Sequence, residues 1–116
     1  MPMACRLDLP VPPSLNNAYS TVGGRRVAGK TLKAWKEAAG WELKNQPRQS
    51  FAGKFRIELQ LPANMRGDID NRCKAACDLL TEHRVIPDDR YAWEVTAKRV
   101  ETVPDGRCVL IVESAA

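Results

Sequence analysis

Apolar residues recur along this chain with two distinct periods, and each period predicts an element. Phe55, Ile57, Leu59 and Leu61 alternate with Arg56, Glu58 and Gln60, which is the two-residue repeat of a half-buried strand. Tyr91, Trp93, Val95 and Ala97 alternate in the same way with Glu94, Thr96 and Lys98; exposed positions on the late strands, with Trp93 nearby, are candidates for a dimer surface, and Trp93 itself is read as core in preference. Residues 107–113 (RCVLIVE) read as a final, well-buried strand. The VPDG turn before them (residues 103–106) suggests that the last two strands pair antiparallel. A short strand over residues 5–11 is stopped by Pro12 and Pro13. Leu32, Trp35, Ala39 and Leu43 recur at helical spacing, predicting a helix from Thr31 to about Leu43. A second helix is predicted from Asn71 to about His83, with Asp70 as its N-cap and Cys73, Ala76, Cys77 and Leu80 as its inward stripe. Gly23 and Gly24, between short β-capable runs, suggest a hairpin or flap with Arg25 and Arg26 at its tip.

These elements make one α+β domain over residues 1–116, with a mixed, mostly antiparallel sheet and two main helices. A chain of 116 residues can bury a core without disulfides or a structural metal. Its four cysteines lack metal-ligand spacing and its one histidine has no partner pair, so buried reduced thiols are expected rather than a zinc site. No long apolar run marks a signal peptide or a membrane span, which points to a cytoplasmic protein with no membrane partner; no small-molecule cofactor is expected.

Charge changes the picture more than composition does. The formal net charge is +4, yet five of the seven aspartates fall within residues 67–89, GDIDNRCKAACDLLTEHRVIPDD, leaving the rest of the surface more basic than the total suggests. Read as extended backbone, Asp68 and Asp70 put their carboxylates on one face with Ile69 turned inward. Two carboxylates 4–5 Å apart repel by roughly 3–4 kcal/mol at an effective dielectric near 20, so such a pair is expected to hold a divalent cation. Lys74 follows one helical turn after Asp70, in reach of a phosphate bound there, and Asp78 four residues on can hold it. Asp88 and Asp89 add carboxylate at a turn before a strand. An aspartate N-cap alone explains Asp70 but leaves Asp68, Lys74 and the Asp88–Asp89 pair without a role. An EF-hand starting at Asp68 would need Gly and Glu where the chain has Cys73 and Leu79. A DxDxT phosphotransferase would need Thr where it has Arg72.

The run DIDNRCKAACDLLTEHRVIPDD closely resembles the core of RusA-type Holliday junction resolvases: Asp-x-Asp-Asn-x-x-Lys, then Asp-Asp. A looser resemblance covers nearly the whole chain, including the PPSLNN stretch. It implies a RusA-like fold and a small homodimeric, Mg²⁺-dependent endonuclease that nicks two opposed strands of a four-way DNA junction in recombination and repair, commonly encoded by phages and prophages. It also implies a 5′-phosphate and a 3′-hydroxyl as products. On matching positions Asp68, Asp70 and Asp89 are the implied catalytic, metal-binding carboxylates, Lys74 the implied catalytic lysine, and Asn71 matches the family's asparagine beside the DNA. Family members carry several arginines before the first Asp, where this chain has only Arg66.

The residues alone lead to the same chemistry. Carboxylate oxygens favour Mg²⁺, with Mn²⁺ a possible substitute. Arg25, Arg26, Lys30, Lys33 and Arg72 are the expected phosphate contacts, with binding that weakens steeply as salt rises. Paired cuts need two sites, hence a two-fold dimer on branched DNA. The competing readings are a nuclease of broader branched-DNA specificity and a junction-binding protein that does not cut.

Overall fold

The computed structural model describes residues 4–14, 19–22, 25–67 and 69–115, with backbone only at 19–22, 25–28 and 89. Among these, no helix is long and apolar enough to cross a membrane.

Strand β1 (Ala4–Pro10) buries Cys5, Leu7 and Leu9 and exposes the residues between them. Strands β2 (Tyr19–Val22) and β3 (Arg25–Ala28) pair antiparallel, Val22 opposite Arg25, as the Gly-Gly signal predicts. Helix α1 (Lys30–Lys44) buries the four residues whose spacing predicted it, and the Trp35 indole donates to the Pro10 carbonyl (2.9 Å), tying the helix to the end of β1. Gly40 is a close-approach glycine: a Cβ there would lie 2.9 Å from His83 Nε2. Strand β4 (Phe55–Pro62) is followed by helix α2 (Cys73–Glu82), strand β5 (Ala92–Val100) and strand β6 (Arg107–Ser114). The main sheet has the order β1-β6-β4-β5. The core includes Leu7, Leu9, Leu59 and Leu110 of the sheet, Leu32 and Leu43 of α1, and Leu79 and Leu80 of α2.

The last two strands do not pair with each other. β4 lies between them, antiparallel to β6 and parallel to β5. A parallel pair needs a crossover, and α2 supplies it, so β4, α2 and β5 form one βαβ unit. β6 takes the remaining side of β4 because it is buried at Cys108, Val109, Leu110 and Val112, which suits a central strand. β5, with Glu94, Thr96, Lys98 and Arg99 exposed, suits an edge. The turn before β6 still reverses the chain, with Gly106 in the left-handed region (φ 77°), but it carries the chain past β4.

Trp93 is not core. It lies on the edge strand, 62% exposed, with the Lys54 ammonium 4.5 Å from its ring centre. A register shift opposite Phe55 and Arg56 interrupts the alternation at this position. Cys5, Cys77 and Cys108 are buried free thiols, as expected, whereas Cys73, expected on the inward stripe of α2, is only half-buried at its first turn.

Candidate functional site

The candidate residues lie along the β4–α2–β5 crossover. Beyond Pro62 the chain turns back, with Met65 N–H donating to the Pro62 carbonyl (3.2 Å). Arg99 of β5 reaches into this loop and donates to the carbonyls of Gly67 (3.0 Å) and Met65 (3.3 Å). Gly67 sits at φ 93°, a conformation that a side chain would strain. Arg72 holds the other end of the loop, donating to the carbonyls of Pro12 (2.7 Å) and Arg66 (3.5 Å). Arg72 was expected to face DNA; its guanidinium instead turns inward and positions the residues around it. Its Nε is buried with no hydrogen-bond partner among the described residues. Nothing but a charge beside Lys98 on a strand marks Arg99 in the sequence, and that signal does not separate a loop clamp from a solvated side chain.

Asp68 lies outside the described residues. Ile69 is helical (φ −80°, ψ −32°), so the Asp-x-Asp stretch leaves the extended conformation at its central residue. Ile69 nevertheless packs against the core as expected. Asp70 begins a 3₁₀ turn (Asp70–Arg72) that runs into α2, so it stands inside the helical stretch rather than capping it. Neither Ile69 nor Arg72, at the two cap positions, forms a side-chain cap. An N-cap needs extended backbone, and a chain that coils one residue early turns the Asp70 carboxylate out to solvent.

Lys74 is exposed in the first turn of α2, and its ammonium is 3.0 Å from Asp78 Oδ1, the spacing expected of residues four apart. Asn71 is half-buried beside it. Burial and then the Asp70 carboxylate push the Cys73 thiol above its ordinary pKa.

Asp89 begins a second 3₁₀ turn (Asp89–Tyr91) that leads into β5. Its neighbour Asp88 shapes that turn, accepting from Arg90 N–H (3.0 Å). The parallel register separates the two acidic clusters. Phe55 stands opposite Ala92 and Pro62 opposite Val100. The loop to Asp70 leaves from the Pro62 end, where Arg99 and Arg72 hold it, whereas Asp89 precedes Ala92 at the other. Asp70 and Asp89 of one chain thus lie toward opposite ends of β5, a strand about 25 Å long at about 3.3 Å per residue.

Arg25 and Arg26 lie on β3, which leads through Gly29 into α1. Lys30 and Lys33 are exposed in the first turn of α1, next to that hairpin in the chain. Two open clefts, about 590 and 550 Å³, flank Trp41 on α1 and are lined by none of these residues.

Comparison with known proteins gives this arrangement a lineage. The family model described as endodeoxyribonuclease RusA matches residues 9–112. A protein of Aquifex aeolicus named crossover junction endodeoxyribonuclease RusA is 32% identical over 107 residues, 89% of this chain and 84% of that one. The protein of the same name from Escherichia coli K12 is 29% identical over 109 residues, 91% of each chain. With the match spanning β1 to β6 and the whole crossover, the chain belongs to the endodeoxyribonuclease RusA family.

Proposed function

We propose that this protein is a Holliday junction resolvase: an endodeoxyribonuclease that resolves four-way DNA junctions by paired nicks in opposed strands, during recombination and repair, as an Mg²⁺-dependent homodimer. The family supports the nuclease. The layout of the crossover supports the dimer, because one copy holds Asp70 and Asp89 a strand's length apart. A site using both carboxylates therefore takes Asp68 and Asp70 from one copy and Asp89 from the other. Two-fold symmetry then yields two such sites, as paired nicking requires.

The donor set fits a hard cation: carboxylate oxygens, with the one histidine, His83, at the far end of α2. When bound there, Mg²⁺, or Mn²⁺ in its place, supplies Lewis acidity and neutralises charge on the phosphodiester. The chain's own residues do the rest. Lys74, steadied by Asp78, presents its ammonium one turn from Asp70, where charge gathers on the non-bridging phosphate oxygens. Arg99 and Arg72 fix the loop that leads into the acidic residues. Arg25, Arg26, Lys30 and Lys33 offer phosphate contacts beside the hairpin, and Asn71 a polar contact beside Lys74.

The reading is tested with a synthetic four-way junction beside linear duplex of the same sequence, each with Mg²⁺ and with EDTA. Paired nicks near the crossover, seen only with Mg²⁺ and absent on duplex, are expected; a junction bound yet uncut in Mg²⁺ and in Mn²⁺ would overturn it. Mixing two inactive variants tests the shared site. Asp70→Asn and Asp89→Asn each remove both sites of their own homodimer, but a mixed dimer keeps one site with neither change. Recovered single-strand nicking is expected, and a mixture as inactive as its parts would place all three carboxylates in one chain.

A further inference from the structure

Helix α1 turns one face to the core and the opposite face to solvent. Near the centre of the outer face stands Trp41, 71% exposed, the most exposed large apolar side chain among the described residues. A single apolar residue in solvent is ordinary. What surrounds this one is not. At 100° per residue, Lys30, Lys33 and Lys44 lie within about 80° of Trp41 around the helix. None of the three forms an ion pair among the described residues. Lys36, about 140° from Trp41, faces α2 and is taken by Glu82 (2.8 Å). Of the two carboxylates in α1, Glu42 is held by Arg107 (2.7 Å), which leaves Glu37 alone against the three outer lysines. A cleft of about 590 Å³ opens beside the indole, lined in part by the small residues Ala34, Ala38 and Gly40 and by Lys44.

We propose that this face holds single-stranded DNA at a branch point, with Trp41 stacked on an unpaired base and Lys30, Lys33 and Lys44 on the phosphates of the same strand. Unpaired cations on one face call for a polyanion. An exposed flat ring beside an open cleft calls for a flat partner. An aromatic platform in a positively charged track holds single strands with little regard to sequence, because every base has a π-face. A duplex hides those faces in its stack, so the surface selects bases that have left it. Lys30 and Lys44 are about 21 Å apart along the helix at 1.5 Å per residue, the length of about six nucleotide steps of 3.4 Å. Lys30 also adjoins the β2–β3 hairpin, so the track continues the phosphate contacts of Arg25 and Arg26. This surface rests on the reading that the chain acts on branched DNA.

Fluorescence and anisotropy titrations of the full chain, both in EDTA, test it. The probes are a single-stranded oligonucleotide and a four-way junction with unpaired bases at its centre. Each should quench tryptophan emission, and the quenching should persist in Trp93→Phe and vanish in Trp41→Phe. Trp41→Ala should weaken binding of both probes about tenfold, and Trp41→Phe by less. Lys44→Ala should weaken binding and lower the salt slope by roughly 0.7, whereas Glu37→Gln should tighten it. All three positions are exposed, so melting curves should match those of the unmodified chain. Full affinity in Trp41→Ala together with full quenching in Trp41→Phe would overturn this surface, while junction cleavage by those variants would leave the nuclease reading standing. Loss of self-association in Trp41→Ala at unchanged DNA affinity would also overturn it, giving the face to a second copy. Quenching at Trp41 in a protein that cuts no junction would have the reverse meaning: the surface would stand and the resolvase reading would fall.

Discussion

The two edges of the sheet show how one small fold separates stability from reactivity. At the β1 edge the middle of the strand is closed off. Gln46 occupies the strand's outward backbone, and Arg107 of β6 reaches both Asp8 of β1 (2.9 Å) and Glu42 of α1 (2.7 Å), joining three elements. Both carboxylates hold the Arg107 guanidinium well above its already high pKa, so it is charged at any pH the protein meets. At the β5 edge the features stay open: an indole in solvent, the Lys74–Asp78 pair on the surface of α2, and a loop held through arginine contacts to carbonyl oxygens. Charged residues at the first edge are used up on one another. Those at the second pair at the surface, Lys74 with Asp78 (3.0 Å) and Lys98 with Glu58 (3.2 Å). Changes on the open side should therefore alter activity and spare folding, and changes on the closed side should do the reverse.

The sharpest test of that division is Lys74→Ala. Its pair with Asp78 is exposed, and such a pair contributes only about 0.3–0.5 kcal/mol to a helix. The thermal midpoint should barely move, whereas nicking should fall by about 10²–10³-fold through lost stabilisation of developing charge. Parallel losses of both would place Lys74 among the structural residues and erase the contrast. Arg99→Ala comes next. It removes the donors that fix Met65 and Gly67 without touching the aspartates, and a loop displaced by about 1 Å is enough for an activity loss on the order of 10²-fold. Junction binding at low salt should be nearly unchanged, so the effect would appear in single-turnover rates rather than in gel shifts.

On the closed side the expected losses are thermodynamic. Arg107→Ala leaves Asp8 and Glu42 without their shared cation, and since all three groups are partly in solvent the cost is about 1–2 kcal/mol by denaturant titration. Gln46→Ala should cost about 1 kcal/mol and should also reopen the β1 edge, which a rise in association at high concentration would report. Cleavage per folded molecule should be unchanged in both variants. A marked fall would show that the closed edge also shapes the site.

Much of this contrast is written in the sequence, and what is missing from it has a physical cause. The helices, the strands and the Lys74–Asp78 pair follow from periodicity and spacing, because each depends on residues within a few positions of one another. The pairing of β6 with β4 depends on which strand best tolerates burial on both sides, a competition among three strands that no single turn signal resolves. Trp93 reads as core in preference to surface because alternation reports which face a side chain takes, not whether anything covers that face at an edge. The separation of Asp70 from Asp89 is hidden for a similar reason. They are 19 positions apart in the chain, and only the parallel direction of β5 places them at opposite ends of the sheet.

The smallest expected effect belongs to His83, the single histidine, which packs on Gly40 where α2 meets α1. Burial, and then the nearby Lys44 ammonium, hold its pKa below the ordinary imidazole value of 6.5, against a weaker opposing pull from Glu82. A group whose folded pKa is depressed takes up its proton more readily in the unfolded chain, so the native state loses stability as pH falls through about 6.5 and levels off once pH is below the folded value. Above pH 7 both states hold neutral imidazole and the contribution is constant. Melting curves from pH 7.5 to pH 5 should therefore show a shallow decline that His83→Gln flattens, with no matching change in the junction-cleavage profile, because His83 sits at the end of α2 far from Lys74. If cleavage tracked the same titration, the α1–α2 contact would be coupled to the β5 side, and the separation between a closed stabilising edge and an open reactive one would fail.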